Sequence, residues 1–540
     1  MKTLRALFST MRRAARLDVY ALNDLLSSER FRWAEVHPEY KPRGVLYCIL
    51  KFFYKLLKST KTLGRTAALA RSMPPGAVLA FVTTSNQWDA IRPVTDRLDE
   101  AVVVGAVYVE GDAPYPLGSA FLYALPFFPI VFFHYLKAKG YKRLSHRAAF
   151  HEYWAAYGHY VVAVRLLRRL APSAVLVAND HVMWTRTLVQ AAREQGIPTC
   201  YLQHASVTEN FPPLSFDYAF LDGADALVKY DTAGPSTTRV FLTGTPKFDR
   251  YYSGINTNDR VGAIGICTNL LDPVPRVRAL CAHLRARFPD LPIVLRPHPG
   301  DKRQALWQRF VADYGLALSD SKNEHAFAFL QRIDAIVAGD SNVLLEAALM
   351  DVFALYYDFS QAQKDYYGFI RNGLVAYTAR PEEVEALLRD LRAHKPSVRA
   401  RSRYYCATVE TAFDGRSAEV TASLIRQIVQ GGIDGTPWQT AGAAQHLDAF
   451  ELGTVWGSSD TEREKGREGE REKGGKGDTR ATRGARAFAI SEPKHHTSAA
   501  TDEVNGTNTD ETQKKCSIRR VIRRSSRRCW DRPVSSRWRA

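Results

Sequence analysis

Residues 292–314 read PIVLRPHPGDKRQALWQRFVADY. An apolar run, Pro292–Arg296, leads into Pro297-His298-Pro299-Gly300-Asp301, and an amphipathic helical pattern follows over Gln304–Tyr314. A strand that is apolar along its whole length is covered on both faces, and the helix after it carries the chain back over the sheet. The stretch is therefore one strand–helix unit of a parallel sheet. The alternation continues on both sides of it. Expected strands are Val261–Thr268, Asp334–Ala338, Val352–Tyr357 and Leu374–Tyr377, with helices Pro275–Phe288, Val343–Met350 and Pro381–Ala393. Ahead of the polar break Ser253–Arg260 lies a second set. Its strands are Ala77–Thr83, Ala101–Tyr108, Ala174–Ala178, Thr199–Leu202, Asp217–Leu221 and Val240–Thr243, and its helices include Trp88–Leu98, Arg147–Leu170 and Val182–Gln195. The last of these stops at Gly196-Ile197-Pro198.

This pattern predicts an α/β chain with two doubly wound, Rossmann-like domains facing each other across a cleft. The expected organisation is a basic helical extension over 1–70, an N-terminal domain over 71–255 and a C-terminal domain over 256–400. A closing helix over 401–432, taken from the helical pattern Val398–Gln430, and a disordered basic tail over 433–540 complete it. The length of 540 residues agrees, since one domain takes roughly 150. Hydrophobic residues at 46% and charged residues at 24% exclude collagen-like, coiled-coil and wholly disordered classes. The seven cysteines form no C-x-x-C pair, which excludes a disulfide scaffold or zinc ribbon and fits a reducing compartment.

The net charge of +18 sits at the two ends. Residues 1–70 hold 14 Lys/Arg against 5 Asp/Glu, and residues 457–540 hold 21 against 13, so the middle is nearly neutral. Arg5, Arg12, Arg13 and Arg16 interrupt any apolar run of a secretory signal. The segment Val45–Lys61 mixes Tyr47, Phe52, Phe53, Tyr54, Leu56 and Leu57 with four lysines. That mixture suits an anionic membrane surface, and equally a helix packed on its own domain with lysines in water. Leu117–Leu136 has no charged side chain but carries Pro126 and Pro129 mid-way, which leaves a span, a membrane-dipping segment and a buried segment all open. The tail run Glu462–Lys476 lacks apolar periodicity, and its charges read as solvated.

In doubly wound sheets ligands sit outside the carboxyl ends of the strands. There, Arg296 and His298 emerge between prolines that fix the backbone, an arrangement suited to a phosphate. A loop in which His298 merely caps a neighbour reads the same way. Gly339-Asp340-Ser341-Asn342 joins a strand to an apolar helix and offers free N–H groups. Glu346, alone among Leu344, Leu345, Ala347 and Ala348, needs a partner, either a ribose diol or an internal Lys or Arg. His204 follows the strand Thr199–Leu202 and is a candidate general base. Other strand-end polar groups are Asn86 and Gln87, Asp180, Gly244 and Thr268. The sequence holds no Walker loop, no G-x-G-x-x-G, no G-x-S-x-G, no H-E-x-x-H and no D-x-D motif.

In their order and spacing, several of these pieces resemble the GT-B-fold transferases of bacterial capsule, teichoic-acid and related surface-polymer synthesis. The matching residues are Gln203-His204, Thr243-Gly244-Thr245-Pro246-Lys247-Phe248-Asp249, Arg296-Pro297-His298-Pro299, Gly339 through Ala347, and Asp365-Tyr366-Tyr367-Gly368-Phe369, across roughly Ala77–Ala393. The resemblance implies a donor nucleotide and phosphate held by Arg296, His298, Thr268, Gly339, Ser341, Asn342, Glu346 and Gly244. It places Asn86, Gln87 and Asp180 on the acceptor side and makes His204 the catalytic histidine. The family's Trp-His-Gly is Gln203-His204-Ala205 here, and its paired serines are Ser341-Asn342, which favours a sugar over a glycerophosphate donor.

The activity this implies is metal-independent glycosyl transfer from a CMP- or UDP-linked sugar to a glycan or lipid-linked acceptor, with no cofactor. Alternatives are a CDP-glycerol-type glycerophosphotransferase, a UDP-sugar 2-epimerase-like enzyme or an inactive scaffold. The expected location is cytoplasmic, peripheral on a membrane through the basic N-terminal region. Nucleic acid is not expected as a partner.

Overall fold

The computed structural model describes residues 2–30, 32–36, 42–63, 73–106, 109, 111–362, 364–431, 433, 438–439 and 445–447. Nearly all of the expected 433–540 tail lies outside these residues.

Two helices in the extension are long enough to matter for packing, α1 (Lys2–Ala14) and α2 (Val45–Lys58). The first domain runs β1 (Val78–Val82), α3 (Ser85–Thr95), β2 (Ala101–Gly105), β3 (Ala113–Pro114), α4 (Leu117–Ala124), α5 (Phe128–Lys137) and α6 (Gly140–Leu170). It continues with β4 (Ala174–Val177), α7 (Met183–Arg193), β5 (Thr199–Leu202), β6 (Tyr218–Leu221), α8 (Ala224–Ala233) and β7 (Arg239–Leu242). The second domain begins with β8 (Ile264–Thr268), α9 (Val274–Arg287), β9 (Ile293–Pro297), α10 (Gln304–Tyr314), β10 (Ala317–Leu318) and α11 (Ala326–Leu330). It ends with β11 (Ala335–Ala338), α12 (Val343–Leu349), β12 (Phe353–Tyr357), β13 (Ala376–Thr378) and α13 (Pro381–Ala393). Then come α14 (Ser417–Val429) and two short strands, β14 (Trp438–Gln439) and β15 (Gln445–Leu447).

The first sheet has the order β14-β15-β7-β6-β5-β4-β1-β2-β3, parallel except for the β14–β15 pair. The second has the order β10-β9-β8-β11-β12-β13 and is parallel throughout. Buried apolar clusters cover both faces of each sheet. These are the two Rossmann-like domains the alternation predicts, and each central strand is buried along its length because each is sandwiched.

The expected single helical pattern Val398–Gln430 resolves into a 3₁₀ turn over Arg399–Tyr404 and then α14. Asp414 breaks the pattern: its carboxylate binds the Arg399 guanidinium at 2.6 Å and accepts from Glu410 N, and Gly415 follows at φ 71°. The chain thereby returns to the first domain, where α14 packs with α3 on one face of the sheet.

Leu117–Lys137 is long and apolar enough to cross a bilayer, with mean hydropathy 1.6 and a third of its length buried. A 3₁₀ turn over Leu125–Phe127 divides it, where Pro126 and Pro129 cannot donate to a helical ladder. The two halves dock on α6. At Gly158 a Cβ would sit 1.8 Å from Ala120 O, so only glycine lets α4 and α6 approach this closely. Phe52 of α2 stacks on Trp154 of α6 at 3.7 Å. The outward stripe of α2 consists of Leu46, Tyr47, Leu50, Phe53, Tyr54 and Leu57, each 40–71% exposed, and Leu122, Phe132, Phe133 and Leu136 are exposed on α4 and α5.

Candidate active site

Apart from the added β14–β15 edge, the strand order of each sheet reverses at one point, between β1 and β4 in the first and between β8 and β11 in the second. Loops leaving opposite ways at such a point open a crevice at the carboxyl edge. The two crevices merge into one cleft of about 410 Å³. Thr268, Arg296, His298, Ser341, Asn342 and Glu346 line its second-domain wall, while Asn86 and His204 line the first-domain wall. Nine strand-end positions were expected to bind donor or perform catalysis, and seven of them reach this cleft.

His298 is oriented by its own loop. Gly300 N donates to its Nδ1 at 3.0 Å, so in the neutral ring the proton sits on Nε2 and can be donated. Burial lowers its pKa, partly opposed by Asp301, and keeps the ring neutral. Thr268 Oγ1 is buried beside it with no hydrogen-bond partner among the described residues. Arg296 is more committed. Its Nη1 donates to Ser319 Oγ at 2.5 Å and to Glu324 Oε2 at 3.3 Å, its Nη2 donates to Glu324 O at 2.6 Å, and its guanidinium lies over Phe329.

The Asn342 side chain bridges the domains. Its Oδ1 accepts from Ser206 N at 3.2 Å and Ser206 Oγ at 2.6 Å, and its Nδ2 donates to Glu346 Oε1 at 3.3 Å. Glu346 meets the internal cation that the sequence left as one option: Lys247 Nζ donates to Oε1 at 2.6 Å. Lys247 stands in the 3₁₀ segment Pro246–Gly254 that links the domains. Burial pulls the pKa of this ammonium down, but Glu346, with Asp222 and Asp89, outweighs burial and raises it. No described residue bonds Glu346 Oε2, which leaves one oxygen for a ligand.

On the facing wall, burial pushes His204 down to about 4; His181 and Lys247 act in the same direction, against Asp180 and a backbone hydrogen bond at Ala178. Its Nδ1 is buried without a partner among the described residues. A histidine in this state is neutral at pH 7 and can accept a proton.

Four expected residues lie elsewhere. Gln87 Oε1 accepts from Thr83 N at 2.8 Å and Thr83 Oγ1 at 3.1 Å, closing the turn before α3. Asp180 is buried between His181 Nδ1 and Tyr230 OH, each at 2.6 Å; burial raises its pKa, but the His181 charge and hydrogen bond prevail and hold it low. Gly244 has φ +75°, and a Cβ there would meet Thr408 Oγ1 at 2.2 Å, so it serves the packing of the closing segment. A Cβ on Gly339 would lie 3.2 Å from Asp272 Oδ1 and from Phe359, so that glycine also answers to packing.

Several cleft residues escaped the sequence reading. Lys247 sits inside a quoted motif, yet only the fold reveals its partner. Asp89 and His325 come from different domains and meet at 3.4 Å in the cleft wall. Asp222, buried just after β6 and not in the cleft lining, is pushed up to about 8 by burial, against Lys247 and Thr245. Among the described residues, no three His, Cys, Asp or Glu side chains gather as a metal site.

No protein-family model matches the sequence, and no curated protein matches it. Solved structures do match. UDP-GlcNAc 2-epimerase from Neisseria meningitidis, bound to UDP-GlcNAc, is 13% identical, with 64% of this chain and 98% of that one covered and a TM-score of 0.44. The wall teichoic acid polymerase TagF is 10% identical, covering 71% and 98%, with a TM-score of 0.41. MurG from Acinetobacter baumannii is 14% identical, covering 65% and 99%, with a TM-score of 0.36. These neighbours are GT-B-fold enzymes, and at such identities the likeness concerns architecture alone.

Proposed function

We propose that this protein is a metal-independent glycosyltransferase that moves a sugar from a CMP- or UDP-linked donor to a hydroxyl of a glycan or lipid-linked acceptor. One observation carries the reading: two neutral imidazoles from facing domains meet in one cleft, His298 with its donor nitrogen preset and His204 as a proton acceptor. The donor's phosphates lie against His298 Nε2–H and Thr268 Oγ1, and Glu346 Oε2 accepts from the ribose hydroxyls. His204 takes the proton of the acceptor hydroxyl. The acceptor oxygen forms its bond to the anomeric carbon as the bond from that carbon to the phosphate oxygen breaks, and the nucleotide leaves with the electron pair. Donors fixed at the leaving phosphate stabilise charge as it develops.

The reading includes a membrane surface as the working location. The apolar outer stripe of α2 and the exposed Phe132, Phe133 and Leu136 lie among Lys51, Lys58, Lys61, Lys137 and Lys139, a composition that favours an anionic bilayer.

A thermal-shift panel of UMP, UDP, CMP, CDP and GDP tests donor binding. At least one pyrimidine nucleotide raises Tm in the wild type, and H298A reduces the shift. Stabilisation by none of the five contradicts the proposal. An epimerase would instead turn over UDP-N-acetylglucosamine with no acceptor present.

A further inference from the structure

A second hollow, of about 730 Å³, lies under α2, at the carboxyl end of β2. Its largely apolar lining includes Tyr54, Phe121 and Trp184, its floor includes Gly105 and Ala106, and Lys55 and Lys58 of α2, with Lys61 in the turn after it, line one side. In the register of the first sheet Val82 pairs with Gly105, so this hollow opens one strand away from the Ser85–Asn86 wall of the cleft.

Its polar groups define what it can hold. Lys55 is neutralised by Glu152 at 2.7 Å. Lys58 and Lys61 are exposed, and no described carboxylate lies within ion-pairing distance of either. Three of its hydroxyls are already committed: Ser59 Oγ donates to Lys55 O at 2.8 Å, Thr62 Oγ1 donates to Ser59 O at 2.7 Å and accepts from Gly118 N, and Tyr115 OH bonds His159 Nδ1 at 3.0 Å, while Tyr54 keeps its phenol at the exposed rim. Among the described residues that line it, none carries a side-chain amide or a carboxylate to read a base or a sugar ring. What remains is a largely apolar slot with two ammonium groups at its side that pair with no carboxylate among the described residues. A doubly charged head matches two such groups, and Lys binds phosphate as a point charge. The exposed stripe of α2, with Leu46, Leu50 and Leu57, adjoins the hollow and offers an apolar chain a continuous route to a bilayer.

We propose that this hollow binds an amphiphile bearing a phosphate monoester, with the head on Lys58 and Lys61 and the chain between Phe121 and Trp184. The site stands on its own geometry, whether or not the cleft transfers a sugar.

Octyl phosphate titrated calorimetrically into the full chain, without vesicles, tests the site apart from surface charge. The expected result is saturable binding, at least about tenfold tighter than that of octyl glucoside, octanoate or inorganic phosphate, and about tenfold weaker in K58E/K61E. K137E/K139E, which alters exposed lysines outside the hollow, binds as the wild type does. A106W fills the floor and abolishes binding while the nucleotide thermal shift persists, which reports that the chain is folded. Equal binding of octyl glucoside means adventitious detergent association and overturns the proposal, as does undiminished affinity in K58E/K61E. Equal binding of octanoate overturns the assignment to phosphate. Loss of all nucleotide response with octyl phosphate binding intact would instead sink the transferase reading and leave this site standing.

Discussion

At the residue scale the pair Lys247–Glu346 has the most to lose from a single change. Both side chains are nearly buried, so removing one partner leaves an uncompensated charge. K247M should lower unfolding stability by about 3–5 kcal/mol in urea denaturation, and K247M/E346Q should recover much of that loss. His204 sets a pH dependence. With His204 as the proposed base and its pKa near 4, a pH–rate profile of kcat/KM should stay flat from neutral pH to about 5 and fall as the imidazole protonates below that. Asp222 shows the opposite sign for stability. The folded state keeps its proton until about pH 8, whereas the unfolded chain releases it near 4, so stability is lost as pH rises through that window. D222N removes the loss, and its Tm advantage over the wild type should grow from pH 5 to pH 8. His298 and His204 were legible in the sequence because they follow apolar strands directly. Asp222, in the bend after β6, and Asp89, on α3, were not, because a lone acid looks solvated until the fold buries it or brings it a partner.

At the scale of elements, the alternation of apolar strands with amphipathic helices was readable because both sheets are covered on both faces, which keeps the central strands of the second sheet apolar up to their carboxyl ends, where Thr268 and Arg296 stand. Helix α8 escaped for the converse reason. Its Asp225 and Lys229 resemble loop residues, yet they form a buried ion pair at 2.6 Å, and Lys229 also donates to Tyr367 O at 2.7 Å. Strands β3 and β10, two residues each, carry no periodicity to detect. Gly244 is the element-level test. G244A should cost about 2 kcal/mol or more, because the new Cβ demands both a left-handed backbone and space held by Thr408 and Ser417. A Tm within a degree of the wild type would show that the closing segment does not press on this turn.

At the scale of the molecule, the two domains meet largely through polar contacts: Ser206 with Asn342, Asp89 with His325, Lys229 with Tyr367 O, Glu209 with Arg371, and Lys247 with Glu346. Interfaces of this kind within one chain permit relative motion. N342A removes the acceptor for Ser206, and faster backbone hydrogen exchange over residues 204–208 should follow, with the cores of both sheets unchanged. The existence and location of the cleft could be inferred from strand ends, whereas its closure by Lys247 and Asn342 required the folded chain. The most direct test of the account is release of free nucleotide from CMP- and UDP-linked sugars in the presence of a glycan or lipid-linked hydroxyl acceptor, with donor affinity measured in parallel by calorimetry. The account predicts acceptor-dependent release that falls by about 100-fold or more in H204A at unchanged donor affinity, while H298A weakens donor binding itself. Wild-type release rates in H204A, or donor binding indifferent to H298A, would contradict it.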